Sequence, residues 1–244
     1  MGEAIDVVRQ RIHFVSPTPQ SLPELMERFL ELANSIGETD PVLRATVISF
    51  VFVLFHPFTD GNGRIHRWLL HWVLSRNGVT PPDAVIPVSA VMLLRRREYD
   101  QALETFSVPL MKLVSYELDH VGRLTVTSDT DDLYRHPDLT KMAEALWRWL
   151  NEAVERELPS QLQFLVGLDG ARLAIQDIVD MPDRLVVLFI QVCRANEGIL
   201  SSTKRKRHFA MLTDAEVERM QDAVQEHFER AARLGQPEQV ESNQ

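Results

Sequence analysis

The residues best suited to chemistry lie in one short stretch, residues 56–67. It holds a histidine, a lone carboxylate, an asparagine between two glycines, and two arginines three positions apart. Histidine takes up a proton near neutral pH, and two guanidiniums can grip successive phosphates through forked hydrogen bonds. One carboxylate can hold Mg²⁺ when phosphate oxygens and water complete its coordination. The residues are His56, Asp60, Gly61, Asn62, Gly63, Arg64 and Arg67. The stretch therefore predicts a polyphosphate site with a general base beside it.

The flanking segments indicate how these residues are positioned. A long apolar run precedes the stretch and an amphipathic segment follows it, a pattern typical of helix, tight loop and helix. Gly61 and Gly63 permit backbone torsions that other residues rarely adopt, so successive N–H groups can converge on an anion. If the second helix begins near Asn62 or Gly63, its free N–H groups and its dipole favour an anion there. Arg64 and Arg67 then lie on one face of that helix.

The stretch reads His56-Pro-Phe-Thr-Asp-Gly-Asn-Gly-Arg-Ile-His-Arg67 and resembles the signature of Fic-domain proteins, H-x-F-x-[DE]-G-N-G-R-x-x-R, at every fixed position. A motif of this length and mixed chemistry is rarely matched by chance. Fic proteins typically transfer AMP from ATP to a hydroxyl side chain of a target protein. The resemblance implies a protein adenylyltransferase with Mg²⁺ as cofactor and ATP as substrate. Its partner would be a protein with a Ser, Thr or Tyr hydroxyl, and the enzyme itself could be a target.

The resemblance also implies roles for single residues outside the phosphate cradle. His56 would deprotonate the attacking hydroxyl, Phe58 would anchor the loop in the core, and Asp60 would bind Mg²⁺. Tyr99 and Leu103 resemble the family's Y-x-x-x-L positions near the adenine pocket, although core packing explains both residues equally well.

The remaining motif residues would bind the nucleotide. Asn62, with the backbone of Gly61 and Gly63, would hold the α- and β-phosphates. Arg64 and Arg67 would hold the β- and γ-phosphates. The resemblance thus places nucleotide binding on the loop and on the first turns of the helix that follows it.

Many Fic proteins are inhibited by a helix with the pattern [ST]-x-x-x-E-[GN], whose glutamate pairs with the second motif arginine, here Arg67. The nearest string is residues 193–198, in which Cys193 stands where the pattern has Ser or Thr. Glu197 is therefore a weak match for the inhibitory glutamate, and an ordinary helix end at Gly198 explains the string adequately. Three alternatives stay open: an inhibitory helix on a partner protein, an inhibitory helix upstream of this chain, and no inhibitory helix at all.

Composition limits the class of protein. The 244 residues carry a net charge of −9, which argues against general binding to nucleic acid or to membrane surfaces. Cys193 is the only cysteine, so an intrachain disulfide is excluded and a reducing compartment fits. The sequence contains neither a run long enough to span a bilayer nor a signal peptide at its start. We expect a cytoplasmic protein, and its oligomeric state, including a homo-oligomer, stays open.

The sequence predicts a mostly α fold, with a Fic-domain helical bundle and a short β-hairpin flap, followed by an α-helical C-terminal region. We expect the Fic domain over residues 1–118, with the flap at about residues 9–19 beside the active site. Residues 119–234 would form the helical region, which resembles the C-terminal extension of larger bacterial Fic proteins. The polar residues 235–244 would form a disordered tail.

Local patterns predict several element boundaries. The helix after the motif loop should run from about residue 63 to 77 and stop at Gly78. A further helix should run from about residue 89 to 106. Glycines at positions 167 and 170 should break the helical segment around them, and His66 and His71 should lie on a helix surface rather than bind metal. Capping boxes are expected at residues 21–24 and 213–216.

Alternatives for the function come from two sources. The motif does not fit a calcium loop, because Arg64 and His71 occupy positions where oxygen ligands are required, and the sequence has no P-loop motif. Relatives of the fold transfer UMP, phosphocholine or a γ-phosphate, so a different donor stays open. A non-enzymatic alternative is an adaptor or DNA-binding regulator that acts through residues 182–233, which include the basic residues 204–207; the acidic remainder of the chain disfavours it.

Overall fold

The structure is a computed structural model that describes residues 2–4, 10–35, 37, 39–80, 85–130 and 132–234. Its described residues are mainly helical and divide into two compact units, Met1–Val154 and Glu155–Gln244. The predicted tail, residues 235–244, lies outside the described residues. The described helices include none that is both long and apolar enough to cross a membrane. The mostly α fold class is confirmed.

The first unit begins with two short antiparallel strands, β1 (Gly2–Ala4) and β2 (Gln10–Ile12). In the strand register, the backbone of Glu3 lies opposite that of Arg11. The remaining elements are α1 (Leu22–Ser35), α2 (Pro41–Phe55), α3 (Asn62–Arg76), α4 (Val88–Leu94), α5 (Arg96–Met111), β3 (Tyr116–Leu118), β4 (Leu124–Val126) and α6 (Thr140–Glu152). β3 and β4 form a second antiparallel hairpin.

Helix α2 is the centre of this unit because nearly all of its side chains are apolar and buried. Asp40 caps its first turn, and its Oδ1 atom accepts hydrogen bonds from the N–H groups of Val42 and Leu43 at 2.9 and 3.1 Å. Burial on almost every face is what a strongly apolar helix requires in water. The helix that delivers His56 is therefore held rigidly by the core.

The first unit extends further than the predicted boundary after residue 118. Helix α6 packs against α2, α4 and α5, and its Met142, Leu146 and Trp149 are buried in the same core as α2. Arg95 donates two hydrogen bonds to the Glu152 carboxylate, at 3.1 and 2.9 Å. The carboxylate raises the pKa of Arg95. The apolar face of α6 thus belongs to the core around the motif.

The second unit consists of α7 (Leu158–Ile178), α8 (Asp183–Arg194), α9 (Ser202–His208) and α10 (Asp214–Arg233), and a π-helical turn (Ala153–Glu157) spans the boundary before it. The predicted break at Gly167 and Gly170 is wrong, since α7 passes through both. The predicted capping box at Thr213 and Glu216 is confirmed. In the basic segment 204–207, Arg205 pairs with Asp214 at 2.6 Å.

Three other expectations need correction or confirmation. Helix α3 confirms the predicted helix after the loop to within one residue at each end. The helix predicted from residue 89 to 106 is divided at Arg95 into α4 and α5. The capping box predicted at residues 21–24 does not form, because the Ser21 hydroxyl lies 2.9 Å from that of Thr18 and Glu24 pairs with Arg28.

Candidate active site

His56 lies at the point where α2 ends. Its backbone N–H donates to the Phe52 carbonyl at 3.1 Å, and its φ and ψ of 50° and 52° are left-handed. A residue other than glycine adopts this conformation only when its surroundings enforce it, and such strain clusters at functional sites. The end of a rigid, buried helix therefore fixes the direction in which the imidazole leaves the backbone.

The environment of His56 favours a neutral imidazole. Partial burial lowers the pKa of His56 below its usual 6.5, and the backbone of Val53 opposes the shift. The Nδ1 atom is buried and has no hydrogen-bond partner among the described residues. A neutral imidazole that presents an N–H at Nδ1 keeps its lone pair at Nε2. His56 thus has the protonation state that a general base needs at neutral pH.

Asn62 holds the loop together. Its side chain is buried, its Oδ1 atom accepts from the Phe58 N–H at 3.1 Å, and its Nδ2 atom donates to the Phe58 carbonyl at 2.5 Å. The prediction that Phe58 anchors the loop in the core is wrong, since 52% of that residue is exposed and its ring only meets the edge of the core at Phe52. The buried side-chain amide of Asn62, and not the ring of Phe58, therefore holds the loop in place.

The first turn of α3 presents free donors. Gly61 caps the helix with a φ of 91°, and its carbonyl accepts from the N–H groups of Arg64 and Ile65, both at 3.0 Å. The N–H groups of Asn62 and Gly63 have no acceptor in the part of the chain that the structure describes. Free N–H groups together with the helix dipole attract an anion.

Asp60 and Arg64 form an exposed ion pair beside these donors. Their Oδ2 and Nη2 atoms are 3.0 Å apart, and their side chains are 90% and 73% exposed. The other carboxylate oxygen of Asp60 accepts from the Gly61 N–H at 2.6 Å. Such an exposed pair contributes little stability, so both side chains can exchange partners readily. A carboxylate and a guanidinium are thus available at the mouth of the helix.

Arg67 lies one turn further along α3 and is partly buried. No carboxylate among the described residues lies within ion-pairing distance of its guanidinium. Burial raises the pKa of Tyr99, and the charge of Arg67 opposes that shift. Burial lowers the pKa of His66, and the charge of Arg67 lowers it further. A partly buried cation without an acidic partner is a ready site for a phosphate.

Comparison with known proteins assigns this loop and the elements around it. Residues 2–74 match the model of the Fic/DOC family, a span that includes the whole motif. Residues 2–74 form a Fic domain. The match covers the predicted flap, α1, α2 and almost all of α3.

Several Fic proteins are similar to part of this chain. "Protein adenylyltransferase fic-1" of Caenorhabditis elegans is 31% identical over 126 residues, which cover 46% of this chain and 23% of the relative. "Protein adenylyltransferase Fic" of Drosophila erecta is 40% identical over 75 residues, or 30% of this chain and 15% of the relative. "Probable protein adenylyltransferase aq_aa38" of Aquifex aeolicus is 32% identical over 74 residues, or 30% and 23%. The chain thus spans less than a quarter of each of these relatives.

The strands at the start of the matched span lie earlier than predicted. The antiparallel pair occupies residues 2–4 and 10–12, and residues 13–17 continue without regular structure. The segment predicted as the flap, residues 9–19, therefore overlaps only the second strand. Residues 5–9 lie outside the described part of the chain. The alignment of a target along this hairpin stays a prediction.

Tyr99 lies outside the span of the Fic match, on α5. Its ring packs among Phe50, His66 and Trp149, with centroid distances of 6.3, 5.9 and 6.1 Å. Burial raises the pKa of Tyr99 to about 12, so the phenol stays protonated. Core packing accounts for most of the ring, and a contact with adenine stays a prediction.

Sequence reasoning missed the position of His66. It was expected on the helix surface, and only 1% of it is exposed. His71 is also half-buried, and its Nε2 atom lies 2.8 Å from the Ser89 hydroxyl. The spacing of His66 one turn before Leu70, a fully buried leucine, was the available signal. Glu197, the weak match for an inhibitory glutamate, lies beyond the end of α8 with a φ of 53°, and its role stays a prediction.

Proposed function

We propose that this protein is an adenylyltransferase that transfers AMP from ATP to a Ser, Thr or Tyr hydroxyl of a target protein, itself included. The observation that carries the proposal is one juxtaposition. A histidine of lowered pKa at the end of α2 is followed, within eight positions, by free helix N–H donors and an exposed arginine. The names of the Fic relatives support the same reaction.

The residues around the first turn of α3 suit a nucleotide polyphosphate. The N–H groups of Asn62 and Gly63 would hold one phosphate, and Arg64 and Arg67 would neutralise the next ones. A Cβ atom at Gly63 would come within 3.7 Å of the Arg67 guanidinium, so a side chain here would narrow the space that a phosphate needs. The donors thus form a cradle on one end of the helix.

Asp60 fits the requirement for Mg²⁺. The described residues contain no cluster of three or more metal-ligating side chains, and Mg²⁺ bound with a nucleotide needs only one or two carboxylates. Asp60 is exposed beside the cradle, and its present partner is an arginine that a phosphate would attract away. Bound Mg²⁺ would neutralise phosphate charge; Asp60 would hold it.

The transfer would be an in-line substitution at the α-phosphorus. His56 would take the proton from the target hydroxyl while that oxygen forms a bond to the α-phosphorus. The bond from the α-phosphorus to the bridging oxygen of the β-phosphate would break, and pyrophosphate would leave with the bonding electrons. The helix N–H groups and Arg64 would stabilise the charge that develops on the phosphate oxygens.

The buried free thiol of Cys193 supports action in a reducing compartment such as the cytoplasm.

The deciding experiment incubates the purified protein with Mg²⁺, cell lysate and ATP labelled on the α-phosphate. The same reaction with γ-labelled ATP identifies the transferred group. His56→Ala should reduce labelling by a factor of about 100 or more while nucleotide binding, measured by calorimetry, persists. The matched control is His120→Ala, which removes an exposed histidine of the same unit and should label like the wild type.

Each other outcome has a separate meaning. Protein labelled by γ-labelled ATP would indicate phosphate transfer and contradict AMP transfer. Equal labelling by the wild type and His56→Ala would remove the histidine from its role as base. Absence of both labelling and ATP binding would contradict the proposal, and calorimetry with other nucleotides would then identify the donor.

A further inference from the structure

His66 makes a hydrogen bond between the two helices that build the site. Its Nδ1 atom lies 2.8 Å from the carbonyl oxygen of Ser49, and both residues are buried. A carbonyl oxygen can only accept, so Nδ1 carries the proton and donates. Ser49 lies on α2, two helical turns before His56, and His66 lies on α3, about one turn after Asn62.

The imidazole is held in a single orientation. Its ring meets the Phe50 ring edge-on, with centroids 4.9 Å apart, and lies 5.9 Å from the Tyr99 ring. Its Nε2 atom is buried and has no hydrogen-bond partner among the described residues. Burial lowers the pKa of His66 to about 4, with the charge of Arg67 as a smaller contribution. Nδ1 therefore makes the one directional bond of this side chain.

This bond bears on the geometry of the site because of where it lies along α3. Two packed helices can slide or rotate slightly while their apolar surfaces stay in contact, whereas a short buried hydrogen bond allows little of either. The bond lies between the free N–H groups of Asn62 and Gly63 on one side and Arg67 on the other. Any rotation of α3 about its axis would move both the N–H donors and Arg67 relative to His56.

We propose that His66 is a positioning residue for the nucleotide. Its bond to Ser49 fixes the rotation of α3 on α2, so that the N–H groups and the arginine of α3 that would bind phosphate converge on the point that His56 faces. The role rests on the proposed function, because it concerns the same site. It differs from a role in core packing alone. Packing requires a ring of this size, whereas positioning requires a donor at the place of Nδ1.

Two substitutions separate the two requirements. His66→Phe keeps the volume of the ring and removes the donor. His66→Asn loses volume and keeps a donor, since the Asn side-chain nitrogen can occupy the place of Nδ1. The matched control is His71→Phe, which makes the same change on the same helix and removes a hydrogen bond to Ser89 that lies away from the first turn.

The first readout is kinetic. With the full chain, Mg²⁺ and ATP, His66→Phe should raise KM for ATP about tenfold and change kcat much less, because the His56 base is intact. His66→Asn should restore KM to within about threefold of the wild type despite its smaller side chain. His71→Phe should leave KM unchanged. Equal KM values for His66→Phe and His66→Asn, or a wild-type KM for His66→Phe, would overturn the proposal.

The second readout does not depend on the reaction. The N–H groups of Arg64 and Ile65 bond to the Gly61 carbonyl, so their hydrogen exchange reports the first turn of α3. His66→Phe should speed this exchange about tenfold, and His66→Asn and His71→Phe should not. Unchanged exchange in His66→Phe would overturn the positioning role even for a protein without AMP-transfer activity. Faster exchange without AMP transfer would contradict only the proposed function.

Discussion

Two helix pairs, one in each compact unit, are held together in different ways. Helices α2 and α3 are joined by polar bonds at two points along their contact: His66 to Ser49 at 2.8 Å near its middle, and Arg44 to Asn77 at 2.6 Å near one end. Helices α7 and α10 are held mainly by close apolar packing, and the hydrogen bond between them among the described residues is long and exposed, from the Gln163 side-chain nitrogen to the Ala232 carbonyl at 3.5 Å. Hydrogen bonds are directional and fix how one helix is rotated against the other, whereas apolar contact is not.

The contact between α7 and α10 depends on glycine. A Cβ atom at Gly167 would lie 2.7 Å from the Phe228 ring, closer than real Cβ atoms approach other atoms. The ring cannot move away easily, because it is buried and the Arg194 guanidinium lies 4.1 Å from its centroid. Helices α7 and α10 of the second unit are not joined by a short loop of the kind that joins α2 to α3, because α8 and α9 lie between them in the chain. The pair that carries the free N–H groups of the candidate site is thus aligned by buried or partly buried directional bonds, whereas the other pair relies mainly on close packing.

The chain provides a separate probe for each pair. All four tryptophans lie in the first unit, at positions 68, 72, 147 and 149. The one cysteine, Cys193, is buried in the second. Tryptophan fluorescence therefore reports unfolding of the first unit, and the reaction of the Cys193 thiol reports opening of the second.

Acid should distinguish the pairs most strongly. The pKa of His66 is about 4 in the folded chain and about 6.5 when unfolded, so below pH 6.5 the unfolded state binds a proton that the folded state does not. The folded state should therefore lose up to about 3 kcal/mol as the pH falls from 6.5 to 4. Urea unfolding followed by tryptophan fluorescence checks this. In His66→Asn the loss should shrink by that amount, and a difference between the two proteins that stays constant with pH would contradict it.

The next effect is that of Asn62→Ala. It removes two hydrogen bonds and leaves the Phe58 backbone groups without their partner, which should cost the first unit about 2 kcal/mol. The reaction of Cys193 should be unaffected. Asn196→Ala, which removes one exposed bond to Ile199 in the second unit, is the matched control. A fluorescence midpoint equal to that of the wild type would show that the loop does not depend on this amide.

The smallest expected effect is that of Gly167→Ala. The added methyl group should destabilise the second unit by about 1–2 kcal/mol, because Phe228 must move from its packed position. The Cys193 thiol should then react faster, while tryptophan fluorescence should report an unchanged first unit. Leu173→Ala changes an exposed residue of the same helix and should leave the thiol rate near that of the wild type. An unaltered rate in Gly167→Ala would show that the pair tolerates separation.

Local sequence patterns predicted the residues of the candidate site and most of the elements. The spacing of glycines, arginines and one carboxylate in residues 56–67 predicted a phosphate-binding helix start, and α3 begins at Asn62 as expected. The mostly α fold followed from the periodicity of apolar residues, and the capping box at Thr213 followed from its spacing to Glu216. These features depend on residues close together in the chain, where spacing alone decides which side chains meet.

How the site is held depends on contacts that only the folded chain brings together. His66, expected on the surface, bonds to a residue seventeen positions away, and Asn62 rather than Phe58 fixes the loop. Gly167, expected to break a helix, lies inside α7, and the Phe228 ring of α10 packs where a side chain would otherwise be. Most buried polar groups form hydrogen bonds with whichever partner the fold places beside them. A glycine has no side chain, so a ring from another helix can pack directly against its backbone. Neither partner can be read from local spacing, because each is chosen by the packing of elements far apart in the chain.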